Sequence, residues 1–165
     1  MKKLLLIGLL LLGGCVAEEP AEEKVTVGDA LPQFSVQLSD GGVFDTATLG
    51  GRPSLIIFFN TTCPDCQRTL PEVQKVYETY KSELTFVAIS REEPEADVAA
   101  WWKAHGITLP YSAQTSRAVY NLFATSRIPR IYIADGKGIV RAAYHDNPCP
   151  DSAELDKSVQ KLLYR

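Results

Sequence analysis

Apolar positions along the body of the chain come in short runs separated by turn signals, a pattern typical of alternating strands and helices. Residues 54–59 and 84–90 form two such runs, and each predicts a buried strand. Between them, apolar positions recur at helical spacing over residues 67–80, and Pro64 fits the first turn of that helix. This order predicts a parallel β–α–β unit at the centre of the fold.

Two hairpins are predicted on either side of this unit. Residues 34–38 alternate apolar and polar and reach Val43-Phe44 through a Gly-rich turn, which is a hairpin signal. Residues 128–133 and 139–144 flank a second turn. Three further helical segments are predicted, over residues 92–105, 115–123 and 151–163. We therefore expect an α/β fold: a central mixed sheet flanked by helices on both faces, with an extra N-terminal β-hairpin.

The N-terminus has the pattern of an export signal. Lys2-Lys3 precedes the apolar stretch Leu4 to Leu12, which is shorter than the roughly 20 residues that an ordinary transmembrane helix needs. The stretch ends in Gly13-Gly14-Cys15, which resembles the bacterial lipoprotein signal. That resemblance implies cleavage before Cys15 and acylation of this residue; the alternative is an ordinary secretory peptide.

Three regions follow from this interpretation. Residues 1–14 are expected to be a lipoprotein signal peptide, residues 15–24 a lipidated acidic tether, and residues 25–165 one domain. Export places that domain in the cell envelope, where disulfides persist. Val16, rather than Asp, follows the lipidated Cys, and in enterobacterial sorting this favours the outer membrane.

Charge and composition exclude some partners. The formal net charge is −3 at pH 7 and Lys and Arg do not cluster, so we expect no nucleic-acid binding. Membrane association is expected only through the lipid anchor. We expect a monomer.

The motif that carries chemistry is Cys63-Pro64-Asp65-Cys66, directly after the first central strand. Two thiols at this spacing can close into a disulfide and reopen, so the strand–CxxC–helix order predicts a redox dithiol. Half of a zinc site or a static disulfide is the alternative. The chain has 4 Cys and 2 His, and the remaining ones do not form a second ligand pair. We therefore expect no metal and no cofactor besides a redox-active Cys63–Cys66 disulfide.

Three features together resemble the thioredoxin superfamily, and more narrowly its membrane-tethered TlpA/ResA type. They are the strand–CxxC–helix unit, Pro71 five residues after Cys66, and Ile128-Pro129 before a late strand and turn. The resemblance implies a thioredoxin-like fold and a cis bond between Ile128 and Pro129. It also implies that Pro129 lies across from Cys63, where the backbone of Ile128 is free to pair with an extended substrate segment.

The resemblance also implies the chemistry. Cys63 would be the attacking thiol and Cys66 the resolving thiol of thiol–disulfide exchange, with Pro64 and Asp65 in supporting positions. Since the Asp65 carboxylate disfavours a nearby thiolate, we expect a reductant rather than an oxidant. The expected substrate is a disulfide in another protein, and apocytochrome c is one substrate class that is usual in the family. The expected electron donor is a membrane protein with its own dithiol.

Two departures from the family leave the proton acceptor of Cys66 open. The Trp that often precedes the first Cys is Thr62 here. Two positions at which members carry a buried acid are Ile57 and Thr69. Glu72, Asp65 or water could take the acid's place.

Several other residues have two interpretations. Arg130 either selects acidic substrates or is a solvated surface residue. Cys149 is either a third redox thiol or a half-buried, unreactive one. We expect no chemistry from His105 and His145.

Three rival functions stay open. A peroxiredoxin-like peroxide reductase shares the fold, but Asn60 occupies the place of its Thr, and Thr61 is one residue out of register. A Sco-like copper chaperone would need a His near residues 127–129, where there is none. A tethered scaffold with a purely structural dithiol is the third.

Overall fold

The computed structural model of the chain describes residues 23–164. The predicted signal peptide, lipidation at Cys15 and nearly all of the predicted tether therefore lie outside the described residues. Within the described range, no helix is long and apolar enough to cross a membrane.

Residues 23–164 form seven strands and three α-helices. The strands are β1 (Ser35–Gln37), β2 (Val43–Asp45), β3 (Ser54–Phe59), β4 (Thr85–Ser90), β5 (Tyr111–Ser112), β6 (Arg130–Ala134) and β7 (Val140–Tyr144). The helices are α1 (Pro64–Tyr80), α2 (Glu95–His105) and α3 (Ser152–Leu163). Two short 3-10 turns cover Thr46–Thr48 and Tyr120–Leu122.

The main sheet is mixed and has the order β5-β4-β3-β6-β7. Strand β3 pairs in parallel with β4 and antiparallel with β6, and β7 completes the late hairpin. Strands β1 and β2 form the separate N-terminal hairpin. The expected α/β architecture is confirmed, and β3 lies at its centre because all six of its residues are apolar or small enough to be buried.

Alternate residues of β3 supply the two halves of the core. Phe58 packs against the rings of Tyr120, Phe123 and Tyr132 on one face. Phe59, the next residue, packs against Trp102 of α2 on the other. Burial on both faces fixes where β3 ends, and therefore where the chain turns into α1.

Local signals set most helix ends. Gly106 ends α2 in the left-handed conformation at φ 63°, which a glycine adopts without steric cost. Asp151 caps α3 by accepting the amide of Glu154, whose side chain returns the contact.

One expectation about the region after α2 is wrong, and one element in that region was not predicted. The helix predicted over residues 115–123 is only the 3-10 turn Tyr120–Leu122. Strand β5 was not predicted, since two residues give no periodicity. It forms because Tyr111 exchanges hydrogen bonds with Ser39 and lies beside Ala88 of β4.

Candidate active site

The two sulfurs of the Cys-Pro-Asp-Cys motif lie at the N-terminal end of α1. Strand β3 delivers the chain to this edge of the sheet, where the amide of Cys63 donates to the carbonyl of Asn60 at 3.1 Å. Cys63 is the N-cap of α1, and Pro64 takes the first helical position, where no N–H donor is needed. Cys63 is half-buried and Cys66 is fully buried.

The two thiols differ in their electrostatic surroundings. Both are free thiols. Burial raises the pKa of Cys66 well above its ordinary value, although the amide of Asn60 and the charge of Arg91 act in the opposite direction. Cys66 is therefore protonated near neutral pH, whereas Cys63 lies outside the buried interior, at the N-cap of α1.

A second segment meets the dithiol from the start of β6. Ile128 and Pro129 are joined by a cis peptide bond, as the family resemblance implied. The Ile128 carbonyl oxygen lies 3.7 Å from Cys63 Sγ, although the two residues are 65 positions apart. The hydroxyl of Tyr120 supports this segment by donating to the Arg127 carbonyl at 2.6 Å. The structure thus brings the predicted substrate-binding residues to the predicted nucleophile, and their roles stay predictions.

Neither carboxylate suggested as proton acceptor contacts a sulfur in the described part of the chain. Asp65 forms an ion pair with Arg68 on the outside of α1. Glu72 pairs with Lys75 at 2.7 Å and accepts the amide of Ser152 at 3.1 Å, which links α1 to α3. Because the charge of Asp65 is compensated, burial of Cys66, rather than Asp65, is the main factor that disfavours a thiolate.

The position of the Arg130 side chain contradicts both interpretations that the sequence suggested for it. It is 3% exposed, so it is neither solvated nor available to select acidic substrates. Its Nε and Nη2 donate to the carbonyl of Ser126 at 3.1 and 3.0 Å, and its Nη1 pairs with Glu23 at 3.2 Å. The side chain therefore fastens the segment before Pro129 to the start of the described chain.

The third described cysteine lies in the loop between β7 and α3. Cys149 is half-buried, and its thiol donates to the carbonyl of Asp146 at 3.3 Å. His145 lies near the carboxylates of Glu23 and Asp146, and His105 stacks on Trp101.

Sequence analysis did not single out one acidic residue that contacts the turn just before the Cys-Pro-Asp-Cys motif. Glu93 follows β4 and is 4% exposed. Its carboxylate accepts the amide of Thr61 at 3.0 and 3.2 Å, and also the Thr61 hydroxyl. In the sequence it belongs to an acidic run that indicates only a helix start, so no local signal marks it.

Comparison with known proteins identifies the family. A sequence profile of the AhpC/TSA family matches residues 27–143, which is most of the chain. The chain belongs to the AhpC/TSA family. It is similar to the thiol-disulfide oxidoreductase ResA of Bacillus subtilis, with 24% identity over 120 residues that cover 72% of this chain and 67% of the relative. The expected resemblance to ResA-type proteins is confirmed.

Solved structures confirm the thioredoxin-like fold. A thiol:disulfide interchange protein of the thioredoxin family from Chlorobium tepidum superposes with a TM-score of 0.71 at 27% identity, covering 84% of this chain and 98% of that one. A disulfide isomerase candidate from Bacteroides thetaiotaomicron superposes with a TM-score of 0.80 at 22% identity, covering 88% and 94%.

Proposed function

We propose that this protein is an extracytoplasmic thiol-disulfide oxidoreductase that reduces disulfides in other proteins. One observation carries the proposal. Cys63 caps α1 with its sulfur against the Ile128 carbonyl, and the protonated thiol of Cys66 is buried beside it. The geometry separates an accessible nucleophile from a shielded partner, as two-step exchange requires.

The exchange has two balanced steps. The Cys63 thiolate attacks one sulfur of a substrate disulfide; a mixed disulfide forms, and the other substrate sulfur leaves and takes up a proton. Cys66 then loses its proton and attacks Cys63 Sγ. The Cys63–Cys66 bond forms as the mixed disulfide breaks, and the second substrate sulfur leaves. The dithiol has passed two electrons and two protons to the substrate.

The direction of transfer is proposed to be reducing. A strong dithiol oxidant stabilises its reduced form, chiefly as a thiolate. Here burial raises the pKa of Cys66, which leaves the reduced form without that stabilisation. ResA-type relatives bear the name thiol-disulfide oxidoreductase, which fits exchange in either direction.

Location and partners follow from the N-terminal signal and the family resemblance. We propose anchoring through acylated Cys15 in the cell envelope, with the outer membrane favoured. The substrate is proposed to be a protein disulfide, apocytochrome c among the classes to test, and the electron donor a membrane-protein dithiol. The test is where an exported Cys15→Ser variant is recovered. Recovery in the soluble part of the envelope fraction would support the lipid anchor, and recovery in the membrane would contradict it.

The rival functions fit the site less well. The Thr61 hydroxyl donates to Glu93, so it is not free to contact a peroxide bound at Cys63, as the Thr of a peroxide reductase would. Among residues 23–164, no group of three or more His, Cys, Asp or Glu could hold a metal, which a copper chaperone would need.

Turnover on a protein disulfide tests the proposal. With dithiothreitol as electron source, the protein should accelerate insulin reduction, and Cys63→Ser and Cys66→Ser should each abolish the acceleration. Cys149→Ser is the matched control and should retain the rate. A wild-type rate no greater than that of dithiothreitol alone would overturn the proposal, and rapid peroxide consumption by Cys66→Ser would favour the peroxide reductase.

A further inference from the structure

Glu93 is an acidic residue whose side chain the fold buries. Its side chain is 4% exposed, and the ion pairs of the described residues do not include it. A buried carboxylate without a cationic partner is costly unless hydrogen bonds satisfy it. The preceding residue, Glu92, has a φ of 58°, a left-handed conformation that is also unfavourable for a side-chain-bearing residue. Two unfavourable features at one loop point to a local role.

All three side-chain hydrogen bonds of Glu93 converge on Thr61. Both carboxylate oxygens accept the Thr61 amide, and one also accepts its hydroxyl. From the opposite side, the carbonyl of Thr61 accepts from Gln67 Nε2 at 2.7 Å. Thr61 is thus held at both its N–H and its C=O, two residues before Cys63.

The hydrogen bonds that Asn60 makes in the same turn depend on the position of Thr61. Asn60 accepts the amide of Cys63 through its carbonyl and the amide of Thr62 through its side chain, at 3.1 and 2.9 Å. Movement of Thr61 would shift both contacts, and with them the direction in which Cys63 leaves the turn. Glu93 therefore acts on Cys63 through the backbone.

We propose that Glu93 is a positioning residue for Cys63: it fixes the turn of residues 60–62 and places a negative charge behind the nucleophile. The inference rests on the proposed function, because it assigns a role in the same exchange reaction.

Besides fixing the turn through its hydrogen bonds, Glu93 should influence the ionisation of Cys63 through its charge. The Glu93 carboxylate is hydrogen-bonded to Thr61, and Thr61 is two residues before Cys63. The carboxylate therefore lies within about 10 Å of Cys63. At an effective dielectric constant of about 20, two unit charges at that distance change the population of the ionised sulfur on the order of tenfold. A like charge disfavours a thiolate, whereas the partial positive charge of a helix N-terminus has the opposite effect.

Two substitutions separate charge from geometry. Glu93→Gln keeps an oxygen for the Thr61 amide and an amide group to which the Thr61 hydroxyl can turn, but it removes the charge. Glu93→Ala removes both. Glu92→Gln is the matched control, since Glu92 is the adjacent carboxylate and is 52% exposed at its side chain.

The experiment measures alkylation of Cys63 in the reduced protein as a function of pH, read at its peptide by mass spectrometry, together with insulin turnover. Glu93→Gln should lower the midpoint pH by about one unit, a tenfold change in thiolate population, with turnover retained. Glu93→Ala should show the same shift and at least a tenfold loss of turnover. Glu92→Gln should change neither.

An unchanged alkylation profile in Glu93→Gln would overturn the inference. Thr61→Val, which removes the hydroxyl that donates to Glu93, provides a second route if Glu93→Ala does not fold: it should lower turnover, and turnover equal to that of the wild type would also overturn the inference. A wild-type protein that fails to reduce insulin while Glu93→Gln still shifts the profile would refute the proposed function and leave the positioning role intact.

Discussion

Replacing Arg130 by Met should destabilise the protein substantially, because the side chain is buried in a hydrogen-bonded position. The guanidinium makes two charge-assisted hydrogen bonds to the Ser126 carbonyl and an ion pair with Glu23. Met has a similar length but no donor, so it leaves the Ser126 carbonyl without these partners. Hydrogen bonds to charged groups contribute about 1.5–3 kcal/mol each, and loss of the desolvated charge offsets part of this.

The expected loss is about 3 kcal/mol of unfolding free energy, which corresponds to about 10 °C in the melting temperature for a chain of this size. The Glu23 half of the ion pair is 42% exposed and should contribute less than about 1 kcal/mol. Glu23→Gln is therefore the matched control. Urea unfolding followed by tryptophan fluorescence measures both, with a constant m-value as the check on two-state behaviour.

A loss below about 0.5 kcal/mol in Arg130→Met would show that the guanidinium is solvated in solution. An equal loss in Glu23→Gln would show that the ion pair, rather than the Ser126 contact, carries the stability. Either result would refute the assignment of Arg130 to the support of the segment before Pro129.

Two further predictions concern stability. Gly136→Ala should cost at least about 2 kcal/mol, because a Cβ there would overlap the carbonyl of Gly51; a melting temperature equal to that of the wild type would contradict this. The hydrogen bonds of Glu72 with Lys75 and Ser152 lower the pKa of its carboxyl, so its contribution is present above pH 4.5 and is lost as pH falls through the lowered folded value. Between pH 5 and 3, wild type should therefore lose up to about 1 kcal/mol more than Glu72→Gln, and parallel pH curves would refute the link.

Local sequence patterns were enough to predict the part of the site that is continuous in the chain. The apolar run of β3, the Cys-Pro-Asp-Cys motif and Pro64 at the first helical position are adjacent, and each restricts the same backbone. Gly106 and Asp151 likewise mark helix ends because their effects are confined to one turn.

Contacts between distant segments could not be predicted in the same way. Glu93 and Thr61 are 32 positions apart, and an acidic residue before a Pro indicates only a helix start. Arg130 follows a proline at a strand start, where sequence gives no sign of whether the side chain points inward. Strand β5 owes its existence to β4 and Ser39. In each case tertiary packing decides the environment of the side chain.

The central claim is that Cys63 attacks a disulfide and Cys66 resolves it, and trapping tests this most directly. A Cys66→Ala variant incubated with insulin should accumulate one covalent adduct, located at Cys63 by mass spectrometry and released by dithiothreitol, whereas wild type should accumulate none. Absence of an adduct, or an adduct at Cys149 with Cys63 unmodified, would contradict the account.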